Sequence, residues 1–311
     1  MKVAVTGGSG FIGSHVVDKL VAACHQVVVV DTRPPGRTDA VFRDVDIRDV
    51  SGLVRATSGC DAIFHLAGVS NVNDALADPV ATMDVNVTGT ARVWEAARRN
   101  QVGRAVFAST VWVYAAAIGE AMATEDTPLT VTGTEHVYTA SKLAAELVVT
   151  SFGELYGLPY TILRYGIPFG PRMREELVIP RFVDHALSRD KLTIYGDGLQ
   201  FRNYVYIEDL AEAHLPVLDE RAANQIVNLE GPEPVSIRRV AEVVRELVNP
   251  RLPIEFVSSR PGDYAGREVS AAKAKQVLGW EARTPFEEGM RRYLDWWLIK
   301  AESDEAQASQ A

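Results

Sequence analysis

Short β-branched runs alternate with longer segments of helical periodicity through the first half of the chain, and this alternation constrains the fold more than any other feature. "KVAV" is followed by a helical pattern over residues 11–23, then "QVVVVD", a helix near 50–57, and "AIFHLA". Helical spacing returns over 79–100, before "RAVFAS", a helix over 137–156 and "YTILR". Runs that are apolar at consecutive positions are buried on both faces, and intervening helices supply the cover. The pattern predicts an α/β fold, a doubly wound parallel sheet of Rossmann type.

After Gly170 the rhythm gives way to proline-punctuated segments such as "GPRMREELVIP" and "VSSRPGDYAGREVS". Strand-like "QIVNL" and a helical pattern over 237–247 imply that the chain revisits the first layer. The expected division is a first domain over 1–170 with a return segment near 224–247, a smaller C-terminal lobe mainly over 171–300, and a frayed polar tail over 301–311.

A net charge of −9 sets up a field that repels phosphate backbones, so no nucleic-acid partner is expected. No apolar run approaches the roughly 20 residues of a membrane span, and the first residues lack the apolar core of a signal peptide. Cys24 and Cys60, far apart and without metal-ligand spacing, read as small buried residues of a reducing compartment. A cytoplasmic protein with no metal site is expected.

"VAVTGGSGFIGSHVV" places glycines between a strand and a helix. Gly8, Gly10 and Gly13 spell G-x-G-x-x-G, whereas Gly7, Gly10 and Gly13 spell G-x-x-G-x-x-G; the letters leave both frames open. Either frame allows a tight turn, close approach of a pyrophosphate and close helix packing, with Phe11 and Ile12 opening the helix whose N-terminus faces the phosphates. Asp31 ends the second strand where a carboxylate binds a ribose diol and repels a 2′-phosphate. NAD is therefore expected over NADP, with Arg33 nearby as the one opposing feature, and 1–170 becomes an NAD-binding domain. Asp46 and Ile47 in "RDVDIRD" are placed to meet an adenine, or else form a solvated acidic loop. Ala67 and Gly68 in "HLAG" offer backbone access for a cofactor, and His65 beside them reads as a packed, hydrogen-bonded residue.

In "YTASK", Tyr138 and Lys142 stand four residues apart on a predicted helix, so both project from one face about 6 Å apart along the axis. A phenol with a pKa near 10 is a poor base at neutral pH, and an adjacent ammonium stabilises its anion. The spacing alone is common. After a dinucleotide loop, and after "VFAST" ending a parallel strand at the edge where such sheets bind ligands, it points to acid/base catalysis by Tyr138, with Thr110 holding the substrate hydroxyl.

From "TGGSGFIG" to "KQVLGWEARTPFEEGM", the chain resembles an extended short-chain dehydrogenase/reductase of the NAD-dependent epimerase/dehydratase family. The resemblance implies that Gly7, Gly10 and Gly13 are the family glycines, Asp31 the ribose carboxylate, and Asp46 and Ile47 the adenine contact. It also implies that Thr110, Tyr138 and Lys142 are the catalytic triad, Asn86 the structural asparagine and Pro168 the lining of the nicotinamide pocket. Arg202 matches the arginine that grips a nucleotide-sugar diphosphate, and Arg260 with Asp263 in "RPGD" matches a second diphosphate and ribose site. Taken singly, each arginine is also readable as a surface residue; together they suit bidentate binding of a diphosphate.

Family 4,6-dehydratases carry an acidic pair directly after the catalytic threonine, and family decarboxylases tend to carry a glutamate there; this chain has Val111 and Trp112. The resemblance then implies a 4-epimerase of a nucleotide sugar, most simply a UDP-hexose, working through a transient 4-keto sugar. Ile167 stands where the family asparagine contacts the sugar or its diphosphate, and Ala115 where a glycine is usual. Arg174 aligns with an arginine that uronate epimerases place near the substrate carboxylate, which brings in UDP-glucuronate as a possible substrate. The alternatives are a reductase of a 4-keto nucleotide sugar and a non-enzymatic NAD-binding protein. Family members often dimerise through two helices per subunit, matching residues 84–100 and 139–156, so a homodimer is expected.

Overall fold

The structure, a computed structural model, describes residues 1–115, 122–130, 132, 136–188, 190–259 and 266–308, with side chains described as far as residue 303. In chain order come β1 (Lys2–Thr6), α1 (Phe11–Ala22), β2 (Gln26–Asp31), β3 (Val41–Asp44), α2 (Val50–Ala56), β4 (Ala62–His65), α3 (Val72–Ala77) and α4 (Pro79–Met83). They are followed by α5 (Thr90–Arg99), β5 (Arg104–Thr110), α6 (Val137–Tyr156), β6 (Tyr160–Tyr165), β7 (Ile167–Phe169), α7 (Val178–Leu187), β8 (Leu192–Tyr195) and β9 (Phe201–Tyr206). The remaining elements are α8 (Ile207–Glu212), β10 (Gln225–Leu229), β11 (Pro234–Ser236), α9 (Ile237–Val248), β12 (Ile254–Val257), α10 (Ala272–Leu278) and α11 (Phe286–Ala308).

The chain forms two compact units. The first comprises residues 1–165, 210–229 and 269–281. Its seven-stranded sheet runs β10-β6-β5-β4-β1-β2-β3, with every neighbouring pair parallel. Strand order reverses at β1: β2 and β3 extend one side, β4 to β6 the other. The carboxyl end of β1 is thus the switch point where such sheets bind ligands. Ile63, Phe107 and Ile162 from three neighbouring strands pack with Leu53 of α2, Val93 and Trp94 of α5, and Ala145 and Val149 of α6. Burial of each large apolar side chain contributes roughly 1.5–3 kcal/mol, and this layer fixes α6 on the sheet.

The expected return segment near 224–247 is corrected: the first unit takes back residues 210–229 and 269–281, whereas α9 belongs to the second unit. The tail expected to fray over 301–311 continues α11 as helix through Ala308. Two further local expectations change. Helical spacing over 79–100 is interrupted by a π turn at Asp84–Gly89. There the Asn86 side chain accepts from Val69 N at 2.8 Å and donates to Val69 O at 2.9 Å, while Gly89 lies so close to Ile47 that a Cβ would stand 2.8 Å from its Cδ1. Side-chain bonding to a neighbouring loop has displaced regular helix, a common origin of π turns near functional sites. Cys60 is buried as expected, but Cys24 is exposed, in a left-handed turn after α1. Its small size suits the turn into β2 rather than the core.

The second unit comprises residues 166–209, 230–268 and 282–311. Within it β9 pairs with β7 in parallel and with β11 antiparallel, and β8 and β12 form a separate parallel pair. Phe169, Tyr204, Tyr206 and Phe286 make edge and tilted ring contacts with centroids 5.1–5.9 Å apart. Gly289 admits this cluster, since a Cβ there would lie 2.5 Å from Phe169 Cζ. Among the described residues no helix is long and apolar enough to cross a membrane.

Candidate active site

The glycine loop follows β1 at the switch point. Gly7 has φ +73°, and a Cβ on it would lie 2.5 Å from Ala67 N; a Cβ on Gly13 would lie 2.0 Å from Gly7 O. At Gly8 the nearest atom would be 3.0 Å away, on the Val29 side chain. The backbone therefore demands glycine at 7 and 13, the frame that spells G-x-x-G-x-x-G with Gly10. Gly10 N donates to Gly7 O at 3.0 Å, and Gly10 caps α1 without a side-chain bond. The first amides of the helix, around Phe11 and Ile12, stay open to an anion.

Asp31 ends β2 and accepts Ser9 N and Arg33 N, each at 3.1 Å. One amide on each carboxylate oxygen orients the group and leaves lone pairs for a diol. Asp46 is held by Arg48, whose guanidinium lies 2.7 Å away and, with the Arg48 amide, keeps the carboxyl below its ordinary value. Ile47 beside it is buried against Gly89. This cradle of glycines, helix N-terminus and oriented carboxylate fits a dinucleotide.

Ala67 and Gly68 follow β4. A Cβ on Gly68 would meet Asn86 Oδ1 at 2.9 Å and stand 3.5 Å from Lys142 Nζ, so glycine leaves space over the lysine. His65 is buried, 2.7 Å from Thr6 Oγ1 and 3.0 Å from Thr90 Oγ1, and burial pushes its pKa down to about 3. It is the hydrogen-bonded core histidine expected.

Thr110 closes β5, and its Oγ1 accepts Trp112 N at 3.2 Å. Lys142 on α6 donates to Ala108 O on the same strand at 2.9 Å and lies 4.9 Å from the Phe107 ring. Burial lowers the Lys142 pKa to about 8, with the charge of Glu146 opposing that fall. Tyr138 stands one turn before Lys142, half-buried, and its carbonyl accepts from Ser141 Oγ at 2.7 Å. Asn86 Nδ2 donates to the same Ser141 Oγ at 2.9 Å, tying the π turn to the start of α6. The structure thus brings the end of β5, the Gly68 turn and the Lys142 turn of α6 together.

In the second unit, Pro168 is the middle residue of β7. Arg202 lies in β9, with Nη1 donating to Phe201 O at 2.6 Å. Arg174 faces Glu176 at 3.6 Å in an exposed pair. Arg260 and Asp263 lie outside the described residues.

Sequence reasoning missed Glu230, the first residue after β10. It is 4% exposed, its Oε2 has no partner, and burial raises its pKa to about 8. A Cβ on Gly166 would stand 2.2 Å from that oxygen and 3.0 Å from Asn203 O, so only glycine leaves the carboxyl its place. The available signal was a charged residue directly after the apolar strand "QIVNL".

Comparison with known proteins places these features in a family. The profile of the NAD dependent epimerase/dehydratase family matches residues 3–229. A putative UDP-glucose 4-epimerase of Methanocaldococcus jannaschii is 31% identical over 308 residues, covering 94% of this chain and 97% of that protein. The dTDP-glucose 4,6-dehydratase 1 of Escherichia coli strain K12 is 31% identical over 337 residues, covering 96% and 93%. Among solved structures, UDP-glucose 4-epimerase of Thermotoga maritima with UDP-glucose superimposes with a TM-score of 0.90 at 28% identity, covering 97% of this chain and all of the other. With its glycine cradle, parallel sheet and matched length, the chain belongs to the NAD dependent epimerase/dehydratase family.

Proposed function

We propose that the protein is an NAD-dependent 4-epimerase of a nucleotide sugar, a UDP-hexose in the simplest case. The supporting observation is a lysine buried against β5 one helical turn from Tyr138, combined with Val111 and Trp112 directly after Thr110. Trp112 packs near the His136 ring, with centroids 5.8 Å apart, so an indole occupies the position of the dehydratase acids. Neither Val111 nor Trp112 exchanges a proton, and the chemistry left to this site is reversible oxidation at a sugar carbinol.

Gly7, Gly10 and Gly13, the amides at Phe11 and Ile12, the Asp31 carboxylate, the Asp46 and Ile47 turn, Ala67, Gly68 and Pro168 would hold the coenzyme. When bound, NAD would supply a hydride acceptor for the sugar C4 carbon and, in its reduced form, the donor for the opposite face of the keto sugar. Thr110 orients the C4 hydroxyl, Tyr138 takes its proton as a phenolate and later gives it back as a phenol, and the Lys142 ammonium stabilises the phenolate that precedes the first step and re-forms in the second. Arg202 binds the substrate diphosphate, with Arg260 and Asp263 as a second site for the diphosphate and the ribose, the carboxylate serving the ribose hydroxyls; Arg174 admits a uronate as an alternative sugar. Ile167 removes a side-chain hydrogen bond at that position and so favours a sugar recognised by shape there.

An epimerase consumes no net coenzyme, whereas a keto-sugar reductase turns over one NADH per product. Substrate deuterated at C4 separates them: the epimerase reading expects the label to remain at C4 of the product with no accumulation of oxidised or reduced coenzyme.

A homodimer and a cytoplasmic location complete the proposal. Val80 and Met83 on α4 and Leu147, Leu155 and Tyr156 on α6 are exposed apolar residues on helices of one unit, and two-fold pairing would cover them. Leu147→Glu with Leu155→Glu is expected to convert dimer to monomer in light scattering; an unchanged mass would remove α6 from the interface. Two free thiols suit a reducing compartment.

A further inference from the structure

α6 carries Tyr138, Lys142 and Glu146 at intervals of four residues, so they share one face. Glu146 is 4% exposed. Its carboxylate accepts Arg164 Nε at 2.9 Å and Nη2 at 2.6 Å, and Ser109 Oγ at 2.5 Å. Arg164 Nη1 also donates to the Tyr114 hydroxyl at 2.6 Å, and that hydroxyl donates to Asn228 Oδ1 at 2.9 Å. Through one carboxylate, the helical turn after Lys142 is tied to β6, to the residue before Thr110 on β5 and, by way of Tyr114, to β10.

Such a buried pair contributes little net stability, because desolvation of both ions offsets their attraction. Its position suggests another role. We propose that Glu146 and Arg164 are positioning residues for the catalytic lysine: they set the registry of α6 against β5 and balance the charge around Lys142, keeping its ammonium protonated in a dry site. The proposal rests on the reading of Lys142 as the partner of Tyr138.

The groups around Lys142 fit this role. β5 presents the Ala108 carbonyl and the Phe107 ring, and Asn86 Oδ1 and Gly68 lie near its ammonium. β4 presents His65, neutral through burial; α6 itself presents Tyr138 and Glu146. Glu146 is the carboxylate whose field opposes the loss of charge on Lys142. Arg164, on β6, carries the positive charge on the far side of Glu146. Desolvation disfavours that charge, but the bonds and field of Glu146 more than offset it, and the guanidinium is held above its ordinary pKa.

Removing either partner then displaces Lys142 in opposite directions. Glu146→Gln leaves Arg164 uncompensated and lowers the Lys142 pKa by about one unit or more, a tenfold loss of the charged form relative to the neutral one. Arg164→Met leaves Glu146 uncompensated and raises it. Glu146→Asp retains the charge and keeps Lys142 near its wild-type value, so the comparison stands if Arg164→Met does not fold. The readout is an NMR titration of the full chain labelled with [13Cε]lysine, Lys142 being identified by the resonance lost in Lys142→Met. Opposite displacements in the first two variants, or a displacement in Glu146→Gln that Glu146→Asp lacks, support the role. Melting temperatures that fall while Lys142 titrates unchanged, or displacements of one sign in all variants, overturn it. The titration uses no substrate, so a failure of the epimerase reading would be seen separately, as absent sugar conversion.

Discussion

Replacing Tyr138 by phenylalanine is expected to lower turnover by about 10²–10⁴-fold while the protein still folds and retains NAD. The change deletes one oxygen from a half-buried side chain and leaves α6 anchored by Lys142 on Ala108, Ser141 on Tyr138 O and Glu146 on Arg164. A phenylalanine ring fills the same volume without a proton to move. Thr110 cannot substitute, because an aliphatic hydroxyl does not ionise near neutral pH, and the nearby His65 is held neutral by burial among Thr6, Thr90, Trp94 and Phe107. Single-turnover kinetics on the NAD-loaded protein provide the check. A variant within threefold of wild type would remove Tyr138 from the chemistry.

The second large effect is on stability. Glu230→Gln is expected to make the protein more stable than wild type above pH 8 and to erase a pH dependence that wild type shows between about pH 4.5 and 8. The folded protein keeps the Glu230 proton up to about pH 8, whereas the unfolded chain releases it near 4.5. Between those values the unfolded state binds fewer protons, so wild-type stability falls as pH rises, and the penalty is complete above the folded pKa. At about 1.4 kcal/mol per unit the loss is of order 5 kcal/mol. Buried His65 and His214 act the other way: both stay neutral when folded, and stability is lost as pH falls below 6.5 toward their depressed values near 3 and 4. The difference between variant and wild type in denaturant unfolding from pH 5 to 9 isolates Glu230. Parallel profiles would mean that its carboxyl is already ionised or solvated in the native protein.

Much of the fold was legible because its causes are local. "QVVVVD" has no polar face to turn to solvent, so it is an interior strand; Gly157, in a left-handed conformation, stops α6 where the periodicity ends. The glycine loop was legible as chemistry, but its frame was not, since the choice between Gly7 and Gly8 depends on the approach of Ala67, distant in sequence. The π turn at Asp84–Gly89 was hidden for the same reason: its cause is the bonding of Asn86 to Val69 and Ser141, across separate elements. Tyr138 and Lys142 stood out by spacing on one helix. The Arg164–Glu146 pair did not, because a charged residue in a strand carries no mark of the partner that makes its burial tolerable. Glu230 needed two separated facts, an acid after β10 and a glycine after β6, and only the three-dimensional register brings them together.

The central claim is tested most directly by incubating the purified protein, with no coenzyme added, separately with UDP-glucose, UDP-N-acetylglucosamine and UDP-glucuronate, and following each by proton NMR. The account predicts that the C4 epimer of at least one sugar appears, drawing on coenzyme the protein already holds, and that Tyr138→Phe slows the conversion by about 10²–10⁴-fold. No epimer from any of the three, even after NAD is supplied, would contradict it.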